Sequence, residues 1–165
     1  TFTTQQVPTY TISVSANPSN GGSAHVGSPT GPTTGTYTNG QQCTVYAVAN
    51  TNYTFTNWTE NGQVVQGAGA TYTFPVTANR TLVANFTYVP PTYTITVSAN
   101  PSSGGTVSGG GPYQQGQTCM VQATANSNYT FSNWTEGGTV VSTQANYTFT
   151  VNGNRTLVAN FQQHL

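Results

Sequence analysis

Asn52-Tyr-Thr-Phe-Thr-Asn-Trp-Thr-Glu60 returns almost unchanged as Asn128-Tyr-Thr-Phe-Ser-Asn-Trp-Thr-Glu136. Tyr and Phe two residues apart, set among threonines, carry the period-two alternation of a half-buried strand. The duplication extends in both directions. Tyr10-Thr-Ile-Ser-Val-Ser-Ala-Asn-Pro18 returns as Tyr93-Thr-Ile-Thr-Val-Ser-Ala-Asn-Pro101, and Asn79-Arg-Thr-Leu-Val-Ala-Asn-Phe86 returns without change at Asn154 to Phe161. The spacing between copies falls from 83 positions at Tyr10 to 76 at Asn52 and 75 at Asn79. The first copy therefore holds seven extra residues between Gly22 and Cys43, and one more between Val65 and Tyr72. The seven lie in a Gly/Pro/Thr stretch, Ser28 to Gly40, which predicts a longer surface loop.

The remaining segments also read as strands. Ile12 and Val14 alternate with Ser13 and Ser15; Cys43, Val45 and Ala47 form a second series, and Leu82, Ala84 and Phe86 a closing one. Asn20-Gly21-Gly22, Asn39-Gly40, Asn61-Gly62, Gly137-Gly138 and Asn152-Gly153 supply turns between them. No window holds a helical period. The pattern predicts an all-β chain: two tandem small antiparallel β domains, sandwich-like or grasp-like, joined by a short Pro-Pro linker. The expected layout is an N-terminal extended segment at 1–8, domain one at 9–87, a linker at 88–92, domain two at 93–161 and a tail at 162–165. The chain begins at Thr1, which fits a processed or trimmed chain, and residues 1–6 stand where a preceding repeat would end.

Composition removes several functions. Charged residues make up 2% of the 165, against about 25% in an ordinary domain. They are Glu60, Arg80, Glu136 and Arg155, one Glu and one Arg per copy. With no Lys and two Arg there is no basic patch for phosphates, so nucleic acid is not an expected partner. No apolar run is long enough to predict a transmembrane segment. The 33 Thr, 17 Asn and 12% aromatics argue against disorder and assign solubility to hydroxyls and amides.

The ordered series Tyr10 to Pro18, Gly21-Gly22, Ala47-Val-Ala-Asn50, Tyr53-Thr-Phe-Thr-Asn-Trp58, Asn61-Gly62, Tyr72-Thr-Phe-Pro-Val76 and Arg80 to Phe86 resembles the divergent internalin-type B-repeat. The resemblance covers residues 9–86 and 92–161. It implies extracellular β modules strung in tandem in prokaryotic surface proteins, with a spacer, adhesin or wall-associated role and no catalytic residues to carry over. This chain departs from such relatives in its lack of charge, and in Cys43 and Cys119 where an aliphatic residue is usual.

Each candidate site has a structural reading beside a chemical one. Glu60 with Arg80, and Glu136 with Arg155, are expected to pair across neighbouring strands, since one carboxylate per copy cannot run two-carboxylate chemistry. Cys43 and Cys119 fall on the core-facing parity; they are either free buried thiols or a Cys43–Cys119 or intersubunit disulfide. His25 and His164 have no counterpart in the other copy and no zinc-ligand spacing with the cysteines. No metal or other cofactor is expected. Trp58, Trp134, Tyr53, Phe55, Tyr129 and Phe131 read as core aromatics rather than a sugar platform, which leaves Tyr37, Tyr88 and Tyr113 as weaker exposed ligand candidates. Eight Asn-x-Ser/Thr sequons mark glycosylation candidates: Asn52, Asn57, Asn79, Asn85, Asn128, Asn133, Asn146 and Asn154. Asn17 and Asn100 fail because proline follows.

Two functions follow. The first is a non-enzymatic, extracellular structural protein, a subunit of a cell-surface filament that self-assembles as a homo-oligomer or polymer and carries covalent glycans. Zero net charge removes long-range repulsion, edges without Lys lose a guard against pairing, and residues 1–8 are a candidate donor strand. The alternative is an adhesin or carbohydrate-binding repeat module of a larger surface protein, with recognition on the loop from Ser28 to Gly40.

Overall fold

A computed structural model describes residues 4–165 and resolves them into strands alone. The chain divides into two compact units between Val89 and Pro90. Unit one contains β1 (Thr9–Asn17), β2 (Gly22–Val26), β3 (Thr34–Thr38), β4 (Gln42–Ala49), β5 (Tyr53–Glu60), β6 (Gln63–Val64), β7 (Thr71–Pro75) and β8 (Arg80–Tyr88). Unit two repeats this order as β9 (Thr92–Asn100), β10 (Gly105–Ser108), β11 (Gly111–Gln114), β12 (Thr118–Ala125), β13 (Tyr129–Glu136), β14 (Thr139–Ser142), β15 (Asn146–Thr150) and β16 (Arg155–Gln163).

Each unit is a sandwich of two sheets. In unit one a five-stranded sheet, β3-β1-β8-β5-β6, faces a three-stranded sheet, β2-β4-β7; unit two has β11-β9-β16-β13-β14 and β10-β12-β15. The core lies between them. Ile12, Val14, Leu82, Ala84, Phe86 and Trp58 from the larger sheet meet Ala24, Val26, Cys43, Val45 and Phe74 from the smaller one. The alternation read from the sequence thus has a direct cause, since successive side chains leave a strand on opposite faces.

One pairing differs from the antiparallel expectation. The first and last strands of each unit, β1 with β8 and β9 with β16, run parallel, while the other pairs are antiparallel. A parallel neighbour needs a long crossover, and here the rest of the unit supplies it. Period-two patterning reports which face a residue takes and is silent on strand order.

The Tyr-x-Phe-x-x-Trp spacing also finds its reason. Phe55 and Trp58 both pack on the core, yet three positions apart they would fall on opposite faces of a regular strand. The register shifts between Phe55 and Asn57, and again between Phe131 and Asn133. A bulge of this kind inserts one extra residue and re-aims those that follow. It turns Thr56 and Asn57 outward together and returns Trp58 to the interior. The β5–β6 turn has Asn61 at φ 51° and Gly62 at φ 78°, the two left-handed residues that a tight hairpin with matching twist needs.

Candidate functional site

Ionic chemistry in each unit is concentrated where the two sheets meet. Glu60 ends β5 and Arg80 begins β8, so adjacent strands bring them together. Arg80 donates from Nε to Glu60 Oε2 at 2.9 Å and from Nη2 to Oε1 at 2.8 Å. Its guanidinium carbon stands 4.6 Å from the centre of the Phe74 ring, and Nη1 donates to the Tyr72 hydroxyl at 3.4 Å. Tyr72 and Phe74 belong to β7 of the other sheet, so the guanidinium is a staple across the sandwich. Unit two repeats it: Arg155 Nη2 donates to Glu136 Oε1 at 2.8 Å, Nη1 donates to Tyr147 at 3.2 Å, and Phe149 lies 4.5 Å away. The planar fork of arginine makes the bidentate bond and the ring contact at once, which lysine cannot do. Both guanidinium groups hold their protons more tightly than usual, chiefly through the carboxylate bond and against the pull of burial.

A second polar feature was not visible as such in the sequence. On the outer face of the large sheet, Asn17 Nδ2 of β1 donates to Asn85 Oδ1 of β8 at 3.2 Å. Asn85 Nδ2 in turn donates to Asn57 Oδ1 and Thr59 Oγ1 of β5, each at 3.0 Å. Asn100, Asn160, Asn133 and Thr135 form the same row in unit two. At the other end of the first strand, Thr11 N–H donates to Asn79 Oδ1 and Thr94 N–H to Asn154 Oδ1, both at 2.8 Å. The available signal is the duplication of Asn17, Asn57 and Asn85, of which Asn17 and Asn85 stand at outward parity while Asn57 is turned outward by the bulge. The sequon reading drew attention to the following Thr instead.

The cysteines are free thiols, 1% exposed at Cys43 and 0% at Cys119. Each sulfur is sealed in the core of its own unit. Burial, the largest influence, pushes the Cys43 thiol up. The neighbouring Cys43 thiol pushes the Tyr37 hydroxyl up to about 12, and the Tyr113 hydroxyl is raised chiefly by its neighbour Cys119. Tyr37 and Tyr113 are half-buried against the cores rather than exposed. Tyr113 also donates to the Gly109 carbonyl at 2.7 Å. Tyr88 is half exposed and its ring packs 5.3 Å from that of Tyr53. Trp58 and Trp134 are 0% exposed, with their indole N–H groups donating to Gly69 O at 2.8 Å and Ala145 O at 3.1 Å.

His25 pins the unit-one loop. Its two ring nitrogens lie 2.7 Å from Gly31 O and 2.8 Å from Ser23 Oγ. His164 contacts the Thr130 hydroxyl. Among the described residues no cluster of His, Cys, Asp or Glu has the makings of a metal site, and no pocket opens.

The duplicated staple, bulge and amide row share one sequence pattern. The divergent InlB B-repeat domain matches the chain twice, over residues 10–90 and 95–165. The chain belongs to that family. Membership points to a repeat module of a surface protein. No curated protein matches the B-repeat chain. Each of the two B-repeats holds its formal charges in one staple.

Proposed function

We propose that the chain is a non-enzymatic structural repeat of an extracellular, cell-surface fibre, assembled by strand addition at sheet edges and N-glycosylated. The observation that carries this reading is how each unit uses its reactive groups. Carboxylate and guanidinium are committed to each other between the sheets, thiols are sealed, and the outward amides bind neighbouring strands. Among the described residues no carboxylate, guanidinium or thiol is left over for a substrate. What remains outside is hydroxyl, amide and scattered apolar side chain, among them Val64, Met120 and Val140, which suits assembly.

The open edges differ in their fitness for addition. Edge strand β3, Thr-Gly-Thr-Tyr-Thr, has neither charge nor proline, whereas β11 carries Pro112, which cannot donate to a ladder. Residues 1–3 of the candidate donor segment lie outside the described residues. Residues 4–8 are exposed and belong to no strand, and Pro8 O accepts from Asn39 N–H at 2.9 Å just beyond the end of β3.

The sequons sort by what their amides already do. Asn52 and Asn128 occupy exposed turns with φ 67° and 72°, and Asn146 is exposed at the start of β15. These three are the favoured glycan sites. Asn79 and Asn154 use Oδ1 in the fold, as Asn57 and Asn133 do, and Asn85 Nδ2 is a structural donor.

Negative-stain imaging of native protein tests the reading. Filaments that disappear on deleting residues 1–7 are expected. Monomers at every concentration would remove the fibre reading and favour the adhesin alternative, for which the loop ordered by His25 is the recognition element. Glycan mapping on the same sample should find Asn52, Asn128 or Asn146 occupied and Asn85 bare.

A further inference from the structure

The chain enters unit one at β1 and leaves it at β8, and these two strands lie side by side and parallel. Six residues of each are in register, from Ile12 opposite Arg80 to Asn17 opposite Asn85. In unit two the register runs from Ile95 opposite Arg155 to Asn100 opposite Asn160. Because the pair is parallel, the incoming end of β1 and the outgoing end of β8 lie at opposite ends of the ladder. Tension along the chain therefore draws the strands past each other. All the hydrogen bonds between them must yield together. An antiparallel pair pulled from one end opens instead one bond at a time.

Each loaded strand is also gripped on its other flank. In the order β3-β1-β8-β5-β6 both are interior. Sliding β1 also breaks its pairing with β3, and sliding β8 breaks its pairing with β5. The amide row ties the three strands β1, β8 and β5 side chain to side chain, and the Thr11–Asn79 bond closes the other end of the ladder. We infer that each unit is a shear clamp that carries tensile load between its two chain ends, and that the Asn17–Asn85–Asn57 and Asn100–Asn160–Asn133 rows are parts of that clamp. Its use in an organism rests on the fibre reading above. The clamp itself is a property of one chain, so it survives or fails separately from filament formation.

Single-molecule force measurement on the full chain tests it, because forced unfolding follows the unfolding barrier along the pulled direction. One arrangement pulls from the two chain termini. The second pulls unit two from a Ser127→Cys handle, in the exposed turn before β13, and the C-terminus. The second geometry loads β13 and β16 at one shared end, where Tyr129 faces Gln163. Cys43 and Cys119 are buried and do not compete for the handle. The expected result is a several-fold higher unfolding force for unit two in the end-to-end geometry. Asn100→Ala should lower that force and leave the Ser127 geometry unchanged, since Asn100 bonds across the β9–β16 pair alone. Equal forces in the two geometries would overturn the clamp. An Asn100→Ala effect of the same size in both would reduce the amide row to a general stabiliser.

Discussion

Unit one and unit two share every strand and differ mainly in how one side of the core is closed. With Gly22 set against Gly105, Val26 of unit one corresponds to Gly109 of unit two. Val26 is 3% exposed and belongs to the core. A Cβ on Gly109 would stand 2.2 Å from Met120 O, so no side chain enters there. The longer loop makes the difference. Its Pro32 and Thr33 carbonyls accept from Val26 N–H at 2.7 Å and Val14 N–H at 2.8 Å. That gives β2 room to turn its last residue inward. Val14 is accordingly buried, while its counterpart Val97 is half-buried. The insertion lies at the surface, and its backbone carbonyls also close one side of the core. At the opposite end the units agree: a Cβ on Gly22 or Gly105 would come within 2.5 Å of the Phe86 or Phe161 ring, so glycine is needed for that close approach.

The largest expected effect tests whether the units are separate at all. Trp58→Ala and Trp134→Ala each empty a fully buried indole site and leave Gly69 O or Ala145 O without its donor. Such truncations cost about 3–5 kcal/mol. Each should unfold its own unit at much lower urea. The surviving tryptophan then reports the other unit by fluorescence, with its midpoint unmoved. A matching shift there would mean that the two cores unfold as one, and the comparison would lose its basis.

Val26→Ala makes unit one resemble unit two. Losing this buried side chain beyond Cβ should cost about 2 kcal/mol. Measured in a Trp134→Phe background, where Trp58 alone reports, unit one is expected to drop from the more stable unit to parity with unit two. If wild-type unit one already melts first, the loop does not seal the core in the way described.

Much of this was legible in the chain itself. The duplicated Tyr53–Glu60 segment marked two β units, and the parity of Ile12, Val45 and Leu82 marked the core faces. Other features were not legible, for physical reasons. Parity does not encode neighbour order, so the parallel β1–β8 pairing was hidden. A bulge changes which residues share a face, so period-two alternation alone sets Trp58 on the face opposite Phe55. Asn17 was set aside because Pro18 blocks its sequon, yet its amide bridges β1 and β8. Glu60 and Arg80 were matched by sign and duplication, but the Tyr72 and Phe74 rings that complete the staple sit on the opposite sheet.

The staple sharpens the comparison on a smaller scale. Glu60 and Glu136 side chains are 27% and 35% exposed, each against an arginine at 21%. Solvent reduces such pairs to about 1 kcal/mol or less, and the more exposed one should contribute less. Glu60→Gln is thus expected to lower the unit-one urea midpoint slightly more than Glu136→Gln lowers that of unit two. Both differences should shrink in high salt. Larger losses, unaffected by salt, would mean that the ring contacts rather than the ion pair hold the sheets.

The smallest difference is confined to alkaline solution. Tyr37 has its hydroxyl pushed up to about 12 by the neighbouring Cys43 thiol, and burial raises the Cys43 thiol as well. An unfolded tyrosine releases its proton near pH 10, so folded unit one retains a proton that the unfolded chain has already lost. Stability falls with rising pH wherever the native state binds more protons. The Tyr37 contribution is therefore fully present below about pH 10 and is lost as pH climbs through 12. Tyr37→Phe should flatten the decline of the unit-one midpoint over that range and leave unit two, with its own Tyr113–Cys119 pair, on its original slope. Identical alkaline slopes for wild type and Tyr37→Phe would show that the Tyr37 proton does not couple to folding.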